Sequence, residues 1–272
     1  MTDRQTITVN RPLANTFGWL HVNGTRVEAP ESTRAMPLTL AAGEERTVLT
    51  EGADASLEIS AELAEGAVLR LIQVRRSGGP AQEINHVRVR CADRARFEWY
   101  RIVLGGASTL DDCSVTLEGR ESAFEAEIAY RLGGEERLDM NCEAIHLGRR
   151  TRSEILASGV LREKAFKLLR GTIDLRTGCA GAVGNEMEDV LLVDDTVRNQ
   201  SVPVILCSEE DVEGNHGATI GRLDESLVFY LASRGMSPEE IDRMMAQAKM
   251  DAVLRKIPDA AIREALLEET RA

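Results

Sequence analysis

Ser122-Ala123-Phe124-Glu125-Ala126-Glu127-Ile128-Ala129-Tyr130 alternates polar and apolar residues, and the fold turns on how that alternation is read. A period of two puts one face of a strand in a core and the other in water. Ser56-Leu57-Glu58-Ile59-Ser60-Ala61-Glu62-Leu63 and His86-Val87-Arg88-Val89-Arg90-Cys91 show the same alternation. The β-like texture runs from Thr6 to about Val212. Glycine-containing turns at Gly105-Gly106, Gly119, Gly133-Gly134, Gly148, Gly159, Gly171 and Gly178 follow at intervals of roughly a dozen residues, the spacing of short strands joined by tight turns. Sandwich, barrel and β-solenoid all give this pattern. No repeated consensus marks one coil, so periodicity leaves the choice open, with the sandwich the commonest outcome. Ser158 to Arg170 could pass for a helix on propensity, but its flanking glycines and the following Thr172-Ile173-Asp174-Leu175 favour strands.

The tail reads differently. Asp224 caps a helix with Leu227, Val228 and Leu231, which closes at Arg234-Gly235. Ser237-Pro238-Glu239-Glu240 is a capping box with proline at the first helical position. Ile241, Met244, Met245 and Ala248 follow at helical spacing, and Pro258 opens a third helix carrying Ile262, Leu266 and Leu267. Short helices bury little alone, so they must lie on the β body or on another chain.

The 272 residues fit one large or two ordinary domains. With 43% hydrophobic and 29% charged residues the chain is neither disordered nor collagen-like. The longest apolar runs, such as Val190-Leu191-Leu192-Val193, fall far short of the roughly 18 residues of a membrane span. Met1 to Asn10 shows no apolar signal region, which predicts a cytoplasmic protein. A net charge of −12 repels phosphate backbones and argues against nucleic-acid binding. The 4% aromatic content argues against stacking platforms and sugar clefts. Cys91, Cys113, Cys142, Cys179 and Cys207 form no C-x-x-C pair, and an odd number makes no complete disulfide framework, so free thiols are expected.

Catalytic signatures are missing. There is no G-x-x-x-x-G-K-[ST], G-x-S-x-G or H-E-x-x-H. Gly178 to Gly184 lacks the spacing of a phosphate loop and reads as a turn, so the chain is expected to bind no nucleotide itself. His21 and His86 read as satisfied polar residues. His216 stands out, because Gly214-Asn215 and Gly217-Ala218 leave its imidazole accessible. Cys207, Glu209, Glu210, Asp211 and Glu213 lie close in sequence, and imidazole, thiolate and carboxylate together suit iron or zinc. No chelating spacing appears, so a partial site completed by a second chain fits better than a whole one.

Asn215-His216-Gly217-Ala218-Thr219-Ile220-Gly221-Arg222-Leu223-Asp224, followed by Leu227-Val228-Phe229-Tyr230-Leu231-Ala232-Ser233-Arg234-Gly235-Met236-Ser237, closely resembles the C-terminal signature of the SufB/SufD family, scaffold proteins of the SUF iron–sulfur cluster assembly machinery. His146, Thr151 and Ser153 resemble the family's H-x-x-x-x-T-x-S segment, and the likeness extends from about Ile145 to Ser237. The resemblance implies a mainly β protein. It would have a right-handed β-helix core over residues 1–222 and a short α-helical segment over 223–272 on which a SufC-type ABC ATPase docks. It implies a dimer, with itself or with a SufB-like subunit, and a transient iron–sulfur cluster at the subunit interface. The family's interface histidine corresponds to His216. Gly217 stands where SufB-type members carry an acidic residue, and Glu188 falls near the place of their cysteine, so the chain is SufD-like and similar to the compact members of the family. Glu188 and Cys207 are further candidate ligands. Leu227, Phe229, Tyr230, Met244 and Met245 are candidate contacts for the ATPase. The expected role is a non-enzymatic scaffold, and the alternative is an adaptor that pairs with a SufB-like subunit without ligating the cluster. A solenoid enzyme acting on polysaccharide is the third reading, and the missing signal region and few aromatics disfavour it.

Overall fold

The computed structural model describes residues 6–52 and 54–271. A short antiparallel pair, β1 (Thr6–Val9) with β2 (Thr25–Glu28), precedes the body. Seven strands build one parallel sheet: β3 (Arg34–Leu40), β5 (Ser56–Leu63), β7 (Gln82–Cys91), β9 (Ser108–Leu117), β11 (Arg137–His146), β13 (Phe166–Leu175) and β15 (Arg198–Cys207). The strands between them build a second: β4 (Glu45–Glu51), β6 (Val68–Arg75), β8 (Arg96–Val103), β10 (Ala123–Leu132), β12 (Arg152–Leu161), β14 (Ala182–Leu192) and β16 (Val212–Gly221). The chain alternates between the odd and the even sheet, and each strand pairs in parallel with the one two places later. This is a β-solenoid, the outcome that periodicity alone ranked below a sandwich. The stretch Ser158 to Arg170 ends β12 and starts β13, as strand.

The coil length hid the repeat. Arg34 is the register partner of Leu57, but Phe166 pairs with Arg198, so coil length varies along the chain and leaves no fixed period.

Inward-facing residues stack in ladders. Phe97 and Phe124 are register partners with rings stacked 5.5 Å apart. Leu69, Leu71, Trp99, Ile128 and Met140 join them in one continuous core. Cys91, Cys113 and Cys142 are small members of that core, and burial pushes the Cys91 thiol up to about 12. The interior is not wholly apolar: Arg101 bonds Asp111 at 2.9 Å and Glu83 at 2.6 Å inside the early coils.

Both outer faces are partly covered. On the odd sheet, Val9 packs on Ile84 and Leu110, Asn10 donates to the Asp139 side chain at 2.7 Å, and Arg170 donates to the Val22 carbonyl at 2.5 Å. On the even sheet, Ile72, Val74, Tyr100 and Ile102 meet Met250, Val253, Leu254, Ile257 and Leu266. Those residues belong to α2 (Pro238–Leu254), α3 (Ala260–Arg271) and their connection. The capping box at Ser237 and Glu240 forms as expected, and Asp224 caps α1 (Glu225–Ser233). The third helix starts later than Pro258, after Asp259, whose carboxylate accepts from the Ile262 amide at 3.0 Å. The buried stripe of α2 is Ile241, Ala246, Met250, Val253 and Leu254; Met244 and Ala248, expected on it, are exposed. Among the described residues, no helix is long and apolar enough to cross a membrane.

His146 shows what the H-x-x-x-x-T-x-S segment does. The side chain is buried, with Nδ1 2.7 Å from Thr151 Oγ1 and Nε2 2.9 Å from Ser153 Oγ. Thr151 gives its own hydroxyl proton to the Gly148 carbonyl, so Nδ1 donates and Nε2 accepts from Ser153. That pattern needs a neutral ring, and burial lowers the imidazole from 6.5 to about 4. Below 6.5 the unfolded chain takes up a proton that the folded chain refuses until about 4. Stability is therefore full above 6.5 and lost as pH falls toward 4, by about 3 kcal/mol from this group. Denaturant titrations at about pH 7 and about pH 4.5 should show a smaller acid loss in His146→Gln than in the parent; equal losses would refute the assignment.

Candidate functional site

Four inner-face ladders change character at the C-terminal end. Ala126 and Ile155 are followed in register by Glu186 and then His216. Ile128 and Ala157 are followed by Glu188 and Ala218. On the odd sheet Leu138 is followed by Lys167 and Asn199, and Met140 by Leu169 and Ser201. Apolar rungs thus give way to two carboxylates, an ammonium, a hydroxyl and an imidazole within the last two coils.

Lys167 is fully buried and Glu188 is 3% exposed. The Lys167 ammonium bonds Glu188 Oε1, and Ser201 donates to Glu188 Oε2. Lys167 also reaches the Ser201 hydroxyl at 3.2 Å and the Gln200 carbonyl at 3.3 Å. Burial lowers the Lys167 ammonium against the pull of Glu188. Glu186 lacks such a partner: its Oε2 is buried without a hydrogen bond. Burial and the neighbouring Glu188 charge raise it to about 7, while Lys167 opposes the shift. Gly171 makes the room, since a Cβ there would lie 2.0 Å from Glu186 Oε1. A carboxyl raised that far changes charge near neutral pH.

His216 lies on β16, the outermost strand of the even sheet, on the same face as Glu186 and beside it in register. Adjacent strands lie about 4.8 Å apart. The imidazole is exposed. Among the described residues, no strand pairs with the outer edges of β15 and β16, so the last coil ends in open strand edges. Pro203 blunts the β15 edge, while β16 carries no proline. In the even sheet, Met187 of β14 and Ile220 of β16 are 49% and 42% exposed.

The structure brings His216 to one inner face with Glu188, through Glu186. It separates Cys207, which is exposed at the end of β15 in the other sheet, its thiol 3.1 Å from the Glu209 carbonyl. Among the described residues, no three His, Cys, Asp or Glu side chains converge to hold a metal ion. On the helices, Phe229 is 75% and Tyr230 51% exposed, with Leu227 and Met244 also at the surface. Met245 instead packs against a small cluster with Val160 and Leu191, and Met250 lies in the helix–sheet seam. Sequence reasoning missed Glu186 and Lys167. The available signal was Glu186-Met187-Glu188, in which the inner-face positions are acidic and the apolar Met187 points out.

Comparison with known proteins agrees with this geometry. Residues 39–249 match the family described as SUF system FeS cluster assembly, SufBD core domain. The iron–sulfur cluster assembly protein SufD of Bacillus subtilis is 24% identical over 173 residues, 64% of this chain and 40% of that protein. SufB of the same organism is 25% identical over 169 residues, 62% of this chain and 36% of that protein. An iron–sulfur cluster assembly SufBD family protein of Mycobacterium tuberculosis is 27% identical over 171 residues, 63% of this chain and 20% of its own length. The chain thus spans less than half the length of these relatives. The match takes in every strand from β4 through β16 and the residues His146, Glu186, Glu188 and His216. On that match the chain belongs to the SufBD core family of the SUF iron–sulfur cluster assembly system.

Proposed function

We propose that the chain is a non-enzymatic scaffold subunit of an iron–sulfur cluster assembly complex and that its last coil supplies half of the assembly site. One observation carries this reading: an exposed imidazole stands on an open edge strand, in register with a buried carboxylate that lacks a hydrogen-bond partner. A second subunit, a copy of this chain or a SufB-like protein, would cover the β16 edge and complete the ligand set. The cluster is cargo here. His216 would ligate it, with Glu188 and Cys207 as further candidates. Glu186 would take up or release the proton that accompanies the change in charge.

Energy would come from a SufC-type ABC ATPase docked on the helical segment, residues 223–272. No residue of α1 is buried, yet the helix presents Leu227, Phe229 and Tyr230. Exposed aromatics on one short helix suit a protein partner. An adaptor role without ligation has one observation in its favour, the lack of a complete metal site among the described residues.

His216→Ala separates the two readings. In a complex reconstituted with the ATPase and partner subunit, iron and sulfide bound should fall by about tenfold or more while the fold is kept. Undiminished cluster yield would leave the adaptor reading standing. Phe229→Ala with Tyr230→Ala should weaken ATPase binding by about tenfold or more, with unchanged helix content. Unaltered affinity would place the docking surface elsewhere.

A further inference from the structure

The segment between β1 and β2 forms a cleft of about 790 Å³ lined by Thr8, Arg11, Asn15, His21, Asn23 and Arg26, with Gly18 and Gly24 in its wall. Among the described residues, no carboxylate lines it. That is unusual here, because the chain carries a net charge of −12 and many of its arginines pair with carboxylates. Arg11 and Arg26 are both exposed, and neither has an ion-pair partner among the described residues. Two guanidiniums without an ion-pair partner among the described residues, around one concavity, make a local positive potential in an otherwise acidic molecule.

The cleft is held, not loose. Asn23 accepts from the Thr16 amide at 2.7 Å and donates to its carbonyl at 2.9 Å, closing the loop on itself. Asn10, Leu13 and Val22 tie the segment to Asp139, Glu143 and Arg170 of the odd sheet. Gly24 sits at φ +131, and a Cβ there would meet Thr8 at 2.9 Å and the Arg11 stem at 3.3 Å, so Arg11 is set by close approach of the backbone. Phe17 and Trp19, on either side of the lining Gly18 in sequence, have stacked rings 6.0 Å apart and are 71% and 73% exposed. They are among the few aromatics in the chain and stay mostly exposed, outside the packed core.

From these features we infer that the cleft binds a phosphate monoester carrying a planar ring. The dianion would sit between the Arg11 and Arg26 forks, and the ring against Trp19 and Phe17. Two forked cations match a doubly charged phosphate better than a single carboxylate. The volume exceeds what inorganic phosphate alone would fill. The site lies on the N-terminal segment and stands apart from the cluster-assembly reading.

Trp19 reports on it directly. The only other tryptophan, Trp99, is fully buried. Titrating the whole chain with phenyl phosphate, inorganic phosphate and phenol should give saturable change in exposed-tryptophan fluorescence with the first, weaker change with the second and none with the third. Arg11→Gln with Arg26→Gln, two surface changes that leave the circular dichroism unaltered, should weaken phenyl phosphate binding by about tenfold or more. Absence of saturation with both phosphate probes overturns the proposal. So does binding indifferent to the two arginines, or equal affinity for phosphate and phenyl phosphate, which would leave the rings without a role. None of these outcomes depends on cluster assembly.

Discussion

In-register stacking of inner-face side chains is the constraint on which the rest depends. Each parallel strand places its residues directly over those of the coil before it, so the interior is a set of ladders rather than a pool. A ladder rung tolerates only what its neighbours tolerate. Phe97 over Phe124 works because both rings stack flat. Gly171 is required because Glu186 occupies the space a side chain would take. The outer sleeves, β1–β2 on one sheet and α2–α3 on the other, then bury the residues that the alternation turns outward.

The same constraint explains why chemistry gathers at one end. A charged rung deep in the solenoid must be neutralised by its own neighbours, as Arg101 is by Asp111 and Glu83. At the last coil a rung has a neighbour on one side only, as His216 has on β16. One strand in, Glu188 is satisfied by Lys167 and Ser201 but Glu186 is not, and its neighbour on the outer side is that exposed imidazole. An unfinished ladder is therefore both an electrostatic imbalance and an open strand edge. A second subunit that continued the ladder would resolve the two together, which is the physical basis of the proposed half-site.

Much of the fold was legible in the sequence, for local reasons. Period-two alternation marked the strands, and the side chains of Asp224 and Ser237 marked two helix starts. The solenoid was not legible from periodicity, because its coils vary in length: Arg34 meets Leu57 while Phe166 meets Arg198. The face of α2 was misjudged because Met244 and Ala248 are as apolar as Ala246 and Met250. Only the bulk of Ile72, Tyr100 and Ile102 on the sheet decides which stripe is buried. At the site, the exposure of the His216 imidazole was legible from its small neighbours. Glu186 and Lys167 were not, since charged residues in an alternating strand ordinarily mark the wet face, and here they mark the dry one.

The N-terminal segment shows the opposite arrangement: a rigid, exposed, basic and aromatic loop fastened to the solenoid by Asp139, Glu143 and Arg170. It and the last coil draw on the same odd-sheet strand, β13, through Arg170 and Lys167, on opposite faces. The account's central claim concerns the β16 edge, and amide hydrogen exchange reads that edge most directly. Exchange along Val212–Gly221 should be fast in the isolated, dilute chain and strongly slowed in the assembled cluster-forming complex, while the β4 edge at the other end keeps its rate. Amides of β16 that exchange equally fast in a complex actively building clusters would contradict the claim.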